Sequence, residues 1–172
     1  NCSNLIEVDL GNGVKNIGDY AFAYCDRLTS ITIPDSVTTI GIDAFSNTCL
    51  EKVVIPEGVT TVDIHEFYSC PNLMSISLPK SIETLAEGAF GDCGNLMDVY
   101  YTGTEADKEA IVIGDDNAPL ASAYWYVTPS NISWTLEDGV LTISGEGEME
   151  FEKAPWGGQS ASIEKAVIEN GI

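Results

Sequence analysis

Leu5, Leu28, Leu50, Leu73 and Leu96 recur at intervals of 22 or 23 residues, and the residues around them recur as well. The second unit gives the fullest copy: Cys25, Leu28, Ile31, Ile33, Pro34, Val37, Ile40, Gly41, Ala44, Phe45. The first unit runs Cys2, Leu5, Val8, Leu10, Gly11, Val14, Ile17, Gly18, Ala21, Phe22 at the same offsets. The third supplies Leu50, Val53, Ile55, Pro56, Val59, Val62 and Phe67, and the fourth Cys70, Leu73, Ile76, Leu78, Pro79, Ile82, Leu85, Ala89 and Phe90. A unit this short cannot bury its own apolar face, so the units must stack into a solenoid.

The local pattern says how one coil folds. Ile31 and Ile33 alternate with Ser30 and Thr32, the period-two signature of a strand with one buried face. Pro34 ends that strand because it has no N–H for the ladder. Val37 to Ile40 then suggests a second short extended piece, and Ala44-Phe45 closes the turn with a large ring as core filler. Successive coils are expected to pair in parallel, about 4.8 Å apart.

These residues resemble the BspA-like, or treponemal-type, leucine-rich repeat family, whose Cys, Leu, Ile, Ile-Pro, Val, Ile-Gly and Ala-Phe pattern is matched over about residues 2–101. The resemblance implies a curved solenoid with its strands along one face. It also implies a large secreted or surface-attached bacterial protein associated with adhesion to host or matrix proteins. The expected fold is therefore a β-rich leucine-rich-repeat solenoid, with a short parallel strand and short helical turns in each repeat. A closing segment and a small β-hairpin leader follow it.

Cys2, Cys25, Cys70 and Cys93 stand three residues before the repeat leucine, where the third unit has Asn47. In leucine-rich repeats a position shared by Cys and Asn stacks its side chains in a ladder beneath the turn. Two readings stay open: buried thiols, favoured because Cys is a good small core residue, or disulfides joining Cys2 to Cys25 or Cys70 to Cys93. The third unit also departs from the pattern, placing Asp63 where Gly is expected and Glu66 where Ala is expected. A buried carboxylate is costly unless it points out or finds a partner, so a local bulge of this turn is expected rather than a functional site.

Past Leu96 the pattern fades. Thr104 is placed to cap a short helix from Glu105 to Ile111, with Asp107 completing a capping box. Asp115-Asp116-Asn117 reads as a loop and Tyr124-Trp125-Tyr126-Val127 as a strand, together closing the last coil over residues 1–127. From Asn131, Ile132–Leu136 and Val140–Ser144 flank Asp138-Gly139 as a hairpin. Ile163, Ala166, Ile168 and Ile172 then repeat the spacing of Leu28, Ile31, Ile33 and Val37. Residues 131–172 are read as a β module leading into a second array, with Thr128-Pro129-Ser130 as the boundary. The array is expected to continue past Ile172 and before Asn1, with any targeting signal outside the sequence.

Composition narrows the function. Seven basic against 27 acidic side chains give a net charge of −20, and the lysines are scattered singly, which disfavours nucleic acid and anionic membranes as partners. His65 is the sole imidazole, no Gly-x-Ser-x-Gly elbow occurs, and no phosphate-binding glycine motif follows a strand. No Cys-x-x-Cys spacing suggests a metal, and Asp115-Asp116-Asn117 lacks the alternating acids of a calcium loop. The chain is thus expected to be non-catalytic, without cofactor or metal, extracellular or at the cell surface, and monomeric as a fragment. Its candidate binding surface is the outward side of the strand face: Glu7, Asp9, Ser30, Thr32, Lys52, Val54, Ser75, Ser77, Asp98 and Tyr100. That strip suits a shallow contact with a protein or glycan ligand, or it is a solvated face with Ser/Thr ladders. It lacks the clustered aromatic and Arg residues of a strong hot spot. A passive spacer or targeting module of a larger secreted enzyme is the alternative. Trp125, Trp134 and Trp156 are read as core of the caps.

Overall fold

The computed structural model describes residues 2–128, 132–137, 140–145 and 165–169. We number the coils by their leucines, from coil 1 at Leu5 to coil 5 at Leu96. In coils 1 and 2 the second extended piece forms β1 (Asn16–Ile17) and β2 (Thr39–Ile40), paired in parallel. In coils 3 and 4 both pieces are strands: β3 (Lys52–Val54) and β4 (Thr61–Val62), then β5 (Ser75–Leu78) and β6 (Thr84–Leu85). Coil 5 supplies β7 (Asp98–Tyr101), followed by α1 (Glu105–Glu109), β8 (Val112–Ile113), α2 (Ala118–Ser122) and β9 (Tyr124–Val127). The order β3-β5-β7-β9 makes one parallel sheet, and β4-β6-β8 a second on the neighbouring side.

The core lies between these ladders and the turns. Leu28, Leu50 and Leu73 are fully buried, as are Val53, Ile76 and Val99 from the inward side of the sheet. Phe22, Phe45, Phe67 and Phe90 stack in a column, with centroids 5.3, 5.4 and 5.5 Å apart. The column sits on tight turns in which Ala21, Ala44, Glu66 and Ala89 each donate to the carbonyl three residues back. Each of these turns needs two left-handed residues: Tyr20 and Tyr24, Asp43 and Asn47, His65 and Ser69, Gly88 and Asp92. For a non-glycine residue that conformation costs about 1–2 kcal/mol. Bonds to the next coil offset it, such as Phe22 N–H to Ala44 O and Phe45 N–H to Glu66 O.

One joint differs from the rest. Between coils 2 and 3 neither ladder pairs: β2 and β4 belong to separate sheets, and β3 is the edge strand of its own. The expected strand at Ile31 and Ile33 is absent, as is its counterpart at Val8 and Leu10. Leu5, Val8 and Leu10 are half-buried against the core. Coil 2 meets coil 3 across the shortened 22-residue step from Leu28 to Leu50. This joint is held on its turn side by Asp43, Phe45 and Asn47 N–H donating to Ile64, Glu66 and Tyr68 O, and on the strand side by a single bond from Glu51 N–H to Thr29 O.

The residue missing from that step falls between Phe45 and Leu50, which corrects the expected side-chain ladder. Thr48, not Asn47, takes the buried place of Cys70 and Cys93, three residues after the stacked Phe. Thr48 Oγ1 donates to Phe45 O at 2.9 Å and lies 3.3 Å from Cys70 Sγ. Asn47 is left-handed backbone at the turn. The cysteines are free thiols, with Cys25, Cys70 and Cys93 buried and Cys2 exposed. Cys93 Sγ donates to Phe67 O at 3.0 Å, and the adjacent Cys70 side chain, followed by burial, pushes its pKa far up.

Thr104 caps α1 with the expected box: Asp107 N–H donates to its Oγ1 and Thr104 N–H donates to Asp107 Oδ2. The helix ends at Glu109, two residues short of Ile111, because Ile111 turns into the core beside β8. A second helix, α2, was not legible as one; its opening is signalled only by Pro119 in the first turn. Asn117 anchors this segment, its Oδ1 accepting from Phe90 N–H and its Nδ2 donating to Ala86 O and Gly114 O. Trp125 is half-buried in the closing segment and donates to Leu120 O at 3.1 Å.

β10 (Ile132–Glu137) and β11 (Val140–Gly145) pair antiparallel with Glu137 opposite Val140, as the hairpin reading requires. β12 (Lys165–Glu169) pairs in parallel with β11, setting Ala166 opposite Leu141 and Ile168 opposite Ile143. The Asp138-Gly139 turn, Pro129-Ser130, Trp156, Ile163 and Ile172 lie outside the described residues.

Candidate binding face

A strand turned to the core on alternate residues presents the others outward. All ten sequence-derived positions are exposed or half-buried. The sheet brings together six of them: Lys52 beside Ser75 beside Asp98, and Val54 beside Ser77 beside Tyr100. Glu7, Asp9, Ser30 and Thr32 lie outside any strand, on the two coils before the joint, so they do not extend this sheet.

β9 adds a row that the sequence reading left out. Tyr124 stands beside Asp98 and Tyr126 beside Tyr100. The alternation of Tyr124 and Tyr126 with Trp125 and Val127 carries the signal, but in the sequence alone the segment reads as part of the closing cap rather than of the face. Tyr124 is 74% exposed, and the rings of Tyr100 and Tyr126 stack with centroids 5.0 Å apart and planes 16° from parallel. Burial and then the Asp98 carboxylate push the phenol pKa of both upward. Met74 and Met97 are exposed at the start of the neighbouring strands. The face is therefore graded, from Lys52 and Val54 across low serines to a tyrosine-rich end.

The departure at Asp63 and Glu66 is not a bulge. His65 and Ser69 keep the left-handed pair of every other turn, and the backbone bond from Glu66 N–H to Asp63 O is retained. Glu66 does not point out; it is fully buried at the alanine position. Its Oε2 accepts from Asp63 N–H at 2.9 Å, while Oε1 has no partner. In coils 2 and 4 the matching Gly41 and Ala86 N–H groups donate to Ile17 O and Val62 O of the preceding coil. The Glu66 carboxyl thus takes the donor that would join β4 to β2. Burial raises its pKa well above the ordinary carboxylate range, with Asp63 opposing through its backbone N–H and adding through its charge.

On the turn side, a groove of about 920 Å³ is lined by His65, Tyr68, Asp92, Asp116 and Pro119 among others. The Tyr68 hydroxyl donates to Asp92 there at 2.6 Å. Among the described residues no group of three His, Cys, Asp or Glu side chains is placed to hold a metal, and no helix is long and apolar enough to cross a membrane.

A family model described as a BspA-type leucine-rich repeat region matches residues 1–109 in six copies. Among solved structures the chain is similar to a leucine-rich repeat protein of T. pallidum, at 30% identity and a TM-score of 0.56. That match covers 66% of this chain and 51% of the other, so the chain spans about half the length of that relative. It is also similar to a leucine-rich cell surface protein of Faecalibacterium prausnitzii, at 31% identity and a TM-score of 0.47, covering 60% of this chain and 34% of that one. Comparison with curated proteins finds no match.

Proposed function

The chain belongs to the BspA-type leucine-rich repeat family, and from that premise we propose that it is a non-catalytic binding module of a secreted or cell-surface protein, adhering to a protein or glycan through its strand face. One observation carries this reading: four parallel strands hold eight outward side chains in fixed register across a continuous sheet. A rigid, pre-ordered surface loses little conformational entropy on binding.

A passive spacer is the second reading, and the low Ser75 and Ser77 row at the centre of the face favours it. An array of extracellular-matrix proteins and glycans, probed with the purified chain and with Lys52→Glu, separates the two. Lys52 is exposed on the edge strand, so its reversal changes the charge of the face and leaves the core intact. A selective hit weakened in Lys52→Glu supports adhesion through this face. A folded protein silent across the array supports the spacer.

A further inference from the structure

The tyrosine-rich end of the strand face has a shape that specifies its ligand more narrowly. The rings of Tyr100 and Tyr126 stack along the direction in which the strands follow one another. The opposite face of the Tyr100 ring therefore looks back toward β5, where its register partner is Ser77. A serine is too short to cover an aromatic ring fully, and Tyr100 is half-buried beside the half-buried Ser75 and Ser77. Asp98 stands on the same strand two residues before Tyr100, in register with Ser75 on one side and Tyr124 on the other, and its carboxylate accepts a hydrogen bond from the Tyr126 hydroxyl. Among the described residues neither of the ion pairs formed involves Asp98, and Lys52 lies two strands away. A half-exposed ring and a carboxylate that accepts from a neutral phenol but pairs with no cation thus border one recess, in a chain of net charge −20.

We propose that this recess holds the guanidinium of an arginine side chain on a partner protein, laid flat on Tyr100 and paired with Asp98. The inference rests on the strand-face reading above and names its partner chemistry. Guanidinium is planar, stacks on aromatic faces and offers paired N–H donors that match a carboxylate. A lysine ammonium can meet the charge but cannot lie flat on the ring. A sugar can stack on the tyrosine but has no charge for Asp98.

The test is an NMR titration of the 172-residue chain with N-acetyl-arginine amide, beside N-acetyl-lysine amide and methyl glucoside. Saturable shifts of the Tyr100 and Tyr126 ring signals with the arginine probe are expected. Binding should be several-fold weaker with the lysine probe and lost in Asp98→Asn and Tyr100→Ser. Asp98→Asn is isosteric and outward, so it keeps the fold in which the loss is read. No saturable response to arginine, an equal response in Asp98→Asn, or a response to methyl glucoside alone would each overturn the proposal. The two readings fail separately: an array ligand that is weakened by Lys52→Glu but indifferent to Tyr100→Ser and Asp98→Asn keeps the strand face and removes the arginine site, whereas a folded chain silent across the array removes the strand-face reading itself.

Discussion

Glu66 shows how much one side chain can change in a repeat. At the same place coils 1, 2 and 4 carry Ala21, Ala44 and Ala89, and only in coil 3 is a carboxyl buried with one oxygen unpartnered. In the folded chain its pKa is raised, so it holds its proton at pH values where the unfolded chain, with a pKa of about 4.3, has released it. The folded state then binds more protons, so this group's contribution to stability is greatest below that pH and falls as pH rises through the window above it. Thermal melts of the chain and of Glu66→Gln across pH 4 to 8 should converge toward neutral pH, the parent losing the advantage it holds in acid. Parallel curves would show that Glu66 does not titrate between the two states. Phe45 sits at the other extreme, a ring stacked on both faces by Phe22 and Phe67. Phe45→Ala should cost about 3–5 kcal/mol, read by chemical denaturation, because the column cannot close over the cavity.

At the scale of elements, the joint between coils 2 and 3 and the anchoring of the closing segment make opposite predictions. The joint lacks both ladders, so backbone amides of β4, whose donors face it, should exchange with solvent faster than those of β5 and β7. Equal protection along the solenoid would contradict the break. Asn117 ties the closing segment to coil 4 through bonds to Phe90 N–H and Ala86 O. Asn117→Ala leaves those groups unsatisfied, at about 1–3 kcal/mol each, and should raise exchange in β8 and β9 before the rest. The sequence announced some of these elements and hid others for physical reasons. Strands with one buried face were visible in Ile76, Leu78 and Val99 because alternation survives in sequence. The α1 cap was visible because Thr104 and Asp107 stand at a box spacing. The Thr48 substitution was hidden because the deleted residue shifts the turn but not the leucines. Glu66 was misread because sequence gives its cost but not the Asp63 N–H that offsets part of it.

Across the whole molecule, a repeat that cannot fold alone builds one continuous core and, beside it, one ordered sheet. The period of Leu5, Leu28, Leu50, Leu73 and Leu96 made the solenoid legible at once. The strand face was legible in part: six of the ten outward positions expected from sequence share the sheet, four earlier ones lie outside it, and Tyr124 and Tyr126 join it because β9 takes the next place in register. The central claim is that recognition belongs to this face and not to the turn-side groove. The most direct measurement is the affinity of an array ligand for the parent chain, for Ser75→Arg with Ser77→Arg, and for Asp92→Ala with Asp116→Ala in the groove. A loss of at least about tenfold, or 1.4 kcal/mol, in the strand-face pair with no change in the groove pair is the predicted result. Loss in the groove pair alone would contradict it and move the binding surface to the other side of the solenoid.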